Sequence, residues 1–367
     1  MFDVYSKAVE LIDSGRSFAL AVVLNTDGST PQVTGARAII EENGKTWGTL
    51  GGGIVEAEAQ RHAIESCESR CPLVIDIELK HAYSRDAAAI CGGRMRILID
   101  PTAAKDRESY ARAAEARTHC ERGVLITTVC EAGRVELPLD LGRGGPRPCL
   151  SATVQWMSED TVSEGLGFPG TEAVRGCLAR ESSQVFVGDV ADSDVRTTLL
   201  VEPVIPDPVL LIAGGGHIGQ ALARVAVFLG FDVTVVDDRP EFTDPSLFPE
   251  GVSTRCGDFA KEVAAFPAAG DVFIVLVTPG HRQDAEALET CIHKSATYVG
   301  MIGSKRKVAM IRKNFIESGL ATESEFDRVY APIGLDIGAI TVPEIATSIA
   351  AQLVAVRRER SAQRIAP

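Results

Sequence analysis

The sequence predicts an α/β fold: a C-terminal Rossmann-like, doubly wound parallel sheet preceded by a mixed α+β N-terminal domain. Three observations support it. The segment 209–240 has the pattern strand, glycine turn, helix, strand. Strand and helix patterns go on alternating beyond residue 271, as a parallel sheet requires. Asn43-Gly44 lies between two apolar segments, which is typical of an antiparallel hairpin.

The N-terminal elements follow from alternating and helical apolar patterns. They are a helix at 4–12, a strand at 17–24, hairpin strands at 36–42 and 45–50 around a two-residue turn, a helix at 54–66, and strands at 72–79, 94–99, 123–130 and 135–141. We divide the chain into an N-terminal domain at 1–103, a middle segment at 104–200 that packs with it, a proline-rich linker at 201–208, and the Rossmann-like domain at 209–367.

Length and composition limit the function classes. A net charge of −13 argues against a nucleic-acid partner, because phosphate binding needs a concentrated basic face. No apolar run is long enough to cross a bilayer, and the N-terminus has no signal-peptide pattern. Nine scattered cysteines are unlike a disulfide framework. We therefore expect a cytoplasmic protein with neither a membrane nor a nucleic-acid partner.

The glycine turn after the strand at 209–213 has the spacing of a dinucleotide-binding motif. Gly214 makes the tight turn, Gly216 lets the backbone approach a pyrophosphate, and Gly219 lets the helix pack against the strand. The next strand ends at Asp237, where a ribose-binding carboxylate is expected.

Neighbouring residues leave the ligand of this turn open. His217 lies within the turn and would face the ligand or support the loop. Arg239 would suit the 2′-phosphate of NADP, so the motif does not choose between NAD and NADP. The fold hosts many ligands, so the motif alone does not establish nucleotide binding.

Glycines also mark a candidate site in the N-terminal domain. Gly51, Gly52 and Gly53 lead into a helix with Glu56 in its first turn. Three glycines at a helix start can expose several backbone N–H groups as an anion-binding nest. A tight turn packed under another element is the alternative.

Cys91 is the cysteine most suited to function, because Gly92 and Gly93 follow it at a junction between loop and strand. Such a thiol is more accessible to a ligand than one on an apolar face, although reactivity requires a thiolate. A small buried packing residue is the alternative. We treat as packing residues Cys120, Cys130, Cys149, Cys177, Cys256 and Cys291.

Two further loops follow strands of the C-terminal sheet, where ligands bind in doubly wound folds. One contains His281 and Asp284, which are candidate site residues or, alternatively, a loop histidine and a helix cap. The other leads into a helix through Gly303 and Ser304, and its first turn carries Lys305, Arg306 and Lys307. Cations there oppose the helix dipole at ~0.3–1 kcal/mol each, so we expect an anion, with a solvated basic face as the alternative.

Six motifs together resemble one known family. They are Gly28-Ser-Thr-Pro31, Gly48-Thr-Leu-Gly-Gly-Gly-Ile-Val-Glu56, Cys91-Gly-Gly93, the Gly214 turn, Tyr298-Val-Gly-Met-Ile-Gly-Ser-Lys-Arg-Lys307 and Pro332-Ile-Gly-Leu-Asp-Ile-Gly-Ala339. Their order and spacing are similar to those of the XdhC/CoxI family, the xanthine dehydrogenase accessory factors.

The resemblance implies a protein that binds molybdenum cofactor, either as molybdopterin or in its dinucleotide form. Such a protein protects the cofactor while a cysteine desulfurase supplies its terminal sulfido ligand, and delivers it to a xanthine dehydrogenase-type molybdenum hydroxylase. It would act as an insertion chaperone more than as an enzyme, and we expect a homodimer.

On this interpretation Cys91 contacts the molybdenum or its sulfur, because a thiolate suits a soft metal centre. The glycines at 51–53 would hold the terminal oxo groups. The Gly214 turn and the cations from Lys305 would hold the phosphate or pyrophosphate.

Two rival functions remain. One is an NAD(P)-dependent oxidoreductase that uses Asp237 on the ribose and His281 in proton transfer. The other is a nucleotide-sensing regulator without chemistry of its own.

Overall fold

In the computed structural model the chain divides between Ile205 and Pro206 into two compact units. The structure describes residues 3–79, 92–119, 121–132, 150–165, 171–189, 195–267 and 271–363. Among these residues no helix combines the length and the apolar character needed to cross a bilayer.

The first unit begins with a five-stranded antiparallel sheet in the order β3-β2-β1-β5-β4. Its elements are α1 (Val4–Asp13), β1 (Phe18–Asp27), β2 (Arg37–Glu41), β3 (Thr46–Gly48), α2 (Gly53–Ser69), β4 (Leu73–Glu78) and β5 (Arg94–Asp100). Antiparallel pairing places the end of β1 beside the start of β5, with Asp27 opposite Arg94. The end of β3 lies at the same edge, because Gly48 pairs with Ala38 and Ala38 with Ala21.

Both faces of this sheet are covered along β1 from Phe18 to Leu24, which explains why every residue of that stretch is apolar. Ala19, Ala21 and Val23 point to α2 and form one core with it. Leu20 and Leu24 point the other way, into a core shared with α1. The small residues therefore lie under the long helix, where they allow close approach.

A second antiparallel sheet completes the unit, in the order β7-β6-β9-β8. The elements of this part are α3 (Arg107–Thr118), β6 (Gly123–Ala132), β7 (Leu150–Ser158), α4 (Glu159–Gly165), α5 (Thr171–Arg180), β8 (Gln184–Asp189) and β9 (Val195–Val204). Buried side chains of β6, β7 and β9 join the core of α1 and α3. Arg37 of β2 donates to Glu202 of β9 in a buried ion pair, which links the two sheets.

The second unit is a parallel sheet in the order β12-β11-β10-β13-β14, so the predicted fold class is confirmed. Its elements are β10 (Val209–Ala213), α6 (His217–Phe228), β11 (Asp232–Asp237), β12 (Ser253–Cys256), α7 (Phe259–Ala265), β13 (Val272–Leu276), α8 (His281–Cys291), β14 (Tyr298–Met301), α9 (Lys305–Glu317), α10 (Glu323–Phe326) and α11 (Val342–Gln363). α6 and α11 cover one face, and α7, α8 and α9 cover the other. The strand order reverses between β10 and β13, beside the glycine turn.

Several predicted boundaries differ locally from the structure. β1 continues through Asp27, beyond the predicted strand. Gly44 N donates to Glu41 O at 2.8 Å and Gly44 has a φ of 84°, so Glu42 and Asn43 are the central residues of the hairpin turn. The predicted two-residue Asn43-Gly44 turn is wrong by one position.

The segment assigned to a linker at 201–208 begins as a strand, because β9 continues through Val204. Its backbone pairs with β6 as far as Gly123, which gives these residues partners that composition could not reveal. The predicted strand at 135–141 lies outside the described residues.

Candidate functional site

Three loops of the first unit meet at the edge where β1 and β3 end and β5 begins. We call them the N-terminal loop junction: residues 27–31, 49–53 and 92–93. A Cβ built on Gly93 would lie 2.5 Å from Ser29 O and 2.6 Å from Asp27 O. Only glycine permits this approach, because both neighbours are backbone atoms. Gly93 and the 27–31 loop therefore hold each other in place.

The 49–53 loop packs against the other side of the same segment. A Cβ on Gly51 would lie 2.6 Å from Pro31 Cβ, and Gly51 has a φ of 107°. Gly52 and Gly53 also have positive φ values, of 76° and 57°, but a Cβ on either would meet nothing within 4 Å. These two glycines leave the backbone accessible at the start of α2.

Glu56 fixes this turn from within the helix. Its Oε1 accepts hydrogen bonds from Thr49 Oγ1 at 2.5 Å and from Leu50 N at 3.1 Å, while Thr49 Oγ1 accepts from Gly51 N at 3.0 Å. The hydrogen bond from the Thr49 hydroxyl holds the pKa of Glu56 below its ordinary value, and backbone N–H groups add to this. Glu56 already accepts from the loop, so its contact with a ligand stays a prediction.

Cys91 directly precedes Gly92 in the sequence but lies outside the described residues, as do Cys120 and Cys149. Packing is confirmed for Cys177 and Cys291, which are buried. It is wrong for Cys256, which is exposed at the end of β12. Among the described residues, no three His, Cys, Asp or Glu side chains cluster as metal ligands do.

In the second unit the three glycines of the turn occupy three different environments. A Cβ on Gly214 would lie 2.3 Å from Val277 O, and one on Gly219 would lie 1.9 Å from Gly214 O. Gly216 meets nothing within 4 Å. Two of the glycines therefore allow close packing, and the middle one leaves open space. His217 is exposed at the first position of α6.

Asp237 is fully buried at the end of β11, and each of its carboxylate oxygens accepts two hydrogen bonds. Oδ1 accepts from Arg239 N at 3.1 Å and from Arg239 Nε at 2.8 Å. Oδ2 accepts from Gly215 N at 2.8 Å and from Arg239 Nη2 at 3.0 Å. Burial raises the pKa of Asp237, but these hydrogen bonds outweigh it and hold the pKa below 3.8.

The loop after β13 is fixed by a second buried carboxylate. Asp284 Oδ1 accepts from Thr278 Oγ1 at 2.6 Å, and Oδ2 accepts from Lys307 Nζ at 2.5 Å. Burial raises the pKa of Asp284 above its ordinary value, and the bonds from Lys307 and Thr278 offset this only in part. Asp284 is not the cap of α8, whose N-cap is Gly280. His281 is the first residue of that helix.

Lys307 differs from its two basic neighbours. It also donates to Ile302 O at 3.2 Å and so joins the loop before α9 to the loop before α8. Lys305 and Arg306 are exposed, and no side chain in the described part of the chain pairs with them. Ser304 Oγ caps α9 by accepting from Lys307 N at 3.2 Å, and Gly303 precedes it.

Family models match both units of the chain. One, described as "XdhC and CoxI family", matches residues 11–77, and the other, described as "XdhC Rossmann domain", matches residues 210–353. The two matches together cover more than half of the sequence and include Gly51 to Gly53 and the Gly214 turn. The chain belongs to the XdhC and CoxI family.

Similar proteins span nearly the whole of this family member. It is 24% identical over 353 residues to a probable xanthine dehydrogenase subunit of Bacillus subtilis (strain 168), covering 95% of this chain and 96% of that protein. It is 23% identical over 356 residues to the "Uncharacterized protein YqeB" of Escherichia coli (strain K12), covering 97% of this chain but 46% of that protein. The chain thus spans about half the length of YqeB.

A crystal structure described as a xanthine dehydrogenase from Bacillus halodurans shares the fold. The TM-score is 0.72 at 21% identity, over 97% of this chain and 96% of that one. The fold of that solved structure therefore extends over nearly the whole of this chain.

Sequence reasoning missed the loop-fixing roles of three side chains in this XdhC and CoxI member. Thr49 supports the glycine turn of α2, Lys307 holds Asp284, and Arg239 holds Asp237. Arg239 lies two residues after a buried carboxylate, a spacing that can signal such a pair. No local pattern signals the pair of Asp284 and Lys307, which lie 23 positions apart.

Proposed function

We propose that this protein is an accessory factor for a xanthine dehydrogenase-type molybdenum hydroxylase. It binds molybdenum cofactor as its cargo, holds it while a cysteine desulfurase supplies the terminal sulfido ligand, and delivers it to the hydroxylase. Membership of the XdhC and CoxI family and the name of the Bacillus subtilis relative support this proposal.

The observation that carries the proposal is the convergence of glycine loops at the N-terminal loop junction, which includes Gly92, the residue that follows Cys91 in the sequence. Gly93 packs against the 27–31 loop, and Pro31 of that loop packs against Gly51. Gly52 and Gly53 leave open the space that side chains would fill. This fits a cargo with terminal oxo groups that approaches the backbone closely, with the Cys91 thiolate as a contact for a soft metal.

The second unit, taken by itself, has groups that suit a phosphate. Gly216 has open space beside its Cα, at the start of α6. Lys305 and Arg306 offer two cations that the described side chains do not neutralise. Backbone N–H groups at a helix start and unpaired cations are suitable partners for a phosphate.

A delivery assay tests this proposal. The protein is purified anaerobically from cells that make molybdenum cofactor, and pterin and molybdenum are measured per chain. It is then mixed with a cofactor-free xanthine dehydrogenase-type hydroxylase, and transfer is followed by the pterin that the hydroxylase acquires. We expect near-stoichiometric loading and transfer. A protein without pterin and metal that instead binds NAD at micromolar concentration would contradict the proposal and favour the oxidoreductase.

A further inference from the structure

Arg239 forms hydrogen bonds with the Asp237 carboxylate, the group that a ribose would need at the glycine turn. In dinucleotide-binding folds the carboxylate at the end of the second strand accepts hydrogen bonds from ribose hydroxyls. Here that carboxylate is Asp237, and three of its four hydrogen bonds come from Arg239. The fourth comes from Gly215 N, within the turn. A ribose could reach Asp237 only by displacing this pair.

The space beside the pair is filled as well. The Arg239 guanidinium carbon lies 3.8 Å from the centroid of the Phe242 ring. The Phe242 carbonyl packs against the turn so closely that a Cβ on Gly215 would lie 2.2 Å from its oxygen. A nucleoside at the end of β11 would have to replace both the stacked ring and the guanidinium.

A hydrogen bond also crosses above the turn. Gln283 Nε2 donates to Asp238 Oδ2 at 2.8 Å. Asp238 follows β11 and Gln283 lies in the first turn of α8 after β13, while β10 lies between those two strands. This hydrogen bond therefore spans the crevice in which a dinucleotide would extend.

We propose that Arg239 is a specificity-determining residue that keeps ribonucleotides away from the Gly214 turn. The turn then accepts ligands that end in a phosphate but carry no ribose on the β11 side. For the cargo this means molybdopterin and not its dinucleotide form. That consequence rests on the proposed function. The exclusion of NAD and NADP does not rest on it.

Calorimetric titration of the full chain with NAD and with ADP-ribose tests the proposal. The wild type is expected to show no saturable binding below about 1 mM. Arg239→Ala removes the two guanidinium hydrogen bonds to Asp237, leaves those from the backbone N–H groups, and is expected to bind both probes at least tenfold more tightly. Arg282→Ala is the matched control: it removes a guanidinium that is 90% exposed and pairs with Glu286, so it should stay like the wild type.

Two further variants make the outcome decisive. Arg239→Lys keeps the charge but cannot form the paired bonds to both oxygens, and is the variant to use if Arg239→Ala does not fold. Gln283→Ala opens the crevice but leaves Asp237 held, so it should not bind. Micromolar NAD binding by the wild type, unchanged binding in both Arg239 variants, or binding by Gln283→Ala equal to that of the Arg239 variant would overturn the proposal. A protein that carries no pterin would leave this result unaffected.

Discussion

The two candidate regions hold their loops by different means. At the carboxyl end of the parallel sheet, buried carboxylates do so: Asp237 is held by Arg239, and Asp284 by Lys307 and Thr278. At the N-terminal loop junction the loops are held by the close approach of glycine backbones. The carboxylate of that region, Glu56, is only partly buried.

The difference teaches how charged residues near a site should be interpreted. Asp237 and Asp284 have the positions of ligand contacts in this fold, yet each satisfies the backbone or side chains of its own loops. The groups left accessible are the open sides of Gly52, Gly53 and Gly216 and the exposed cations. The stability of the carboxyl end of the parallel sheet should therefore respond to charge and pH. That of the N-terminal loop junction should respond mainly to side-chain volume.

The largest expected effect on stability is at the carboxyl end of the parallel sheet. Lys307→Met leaves the buried Asp284 carboxylate without its cation, and should lower the free energy of unfolding of the parallel-sheet unit by about 3–5 kcal/mol. Lys313→Met is the control, because its side chain is 70% exposed and should cost less than about 0.5 kcal/mol. Urea unfolding of both variants measures this, and equal effects would contradict a fixing role for Lys307.

A volume change should affect the N-terminal loop junction next most strongly. Gly93→Ala places a Cβ about as close as 2.5 Å to a carbonyl oxygen, and should cost about 2–3 kcal/mol. Gly53→Ala meets no neighbour, so only its left-handed backbone is strained, at about 1 kcal/mol. Denaturant midpoints of the first unit compare the two. A larger loss for Gly53→Ala would refute the close-packing account.

Removal of the Glu56 charge, which supports the 49–53 loop, should have a smaller effect on stability. Glu56→Gln weakens the acceptor of the Thr49 and Leu50 bonds and should cost about 1 kcal/mol. Glu58→Gln, on the exposed side of the same helix, loses surface pairs with Arg61 and His62 and should cost about 0.5 kcal/mol or less. Thermal unfolding distinguishes them, and an effect of Glu58→Gln equal to that of Glu56→Gln would mean that the turn does not depend on its carboxylate.

The smallest effect is a difference in pH dependence between the two buried carboxylates. The pKa of Asp237 is lowered in the fold, so its contribution is complete above its ordinary 3.8 and is lost as pH falls through the lower folded value. The pKa of Asp284 is raised, so the wild type loses stability relative to Asp284→Asn as pH rises above 3.8. Unfolding curves of Asp237→Asn and Asp284→Asn against pH should thus diverge from the wild type in opposite senses. Parallel curves would contradict these assignments.

The fold followed from sequence wherever periodicity and glycine spacing reflect local geometry. The strand at 209–213 and the roles of Gly214 and Gly219 are examples, because a buried parallel strand and a close helix contact leave direct marks in the sequence. The partners of Asp237 and Asp284 could not be derived in the same way. A carboxylate that binds a ligand and one that binds its own loop have the same local pattern, and only the tertiary contact distinguishes them.

The most direct test of the central claim compares two cysteine variants purified anaerobically from cells that make molybdenum cofactor. Cys91→Ala removes the proposed metal contact, and Cys71→Ala removes an exposed thiol elsewhere in the same unit. Molybdenum and fluorescent pterin are measured per chain. We expect both to remain near the wild-type level in Cys71→Ala and to fall about tenfold or more in Cys91→Ala. Equal loading of the two variants would contradict the proposed roles of Cys91 and of the N-terminal loop junction.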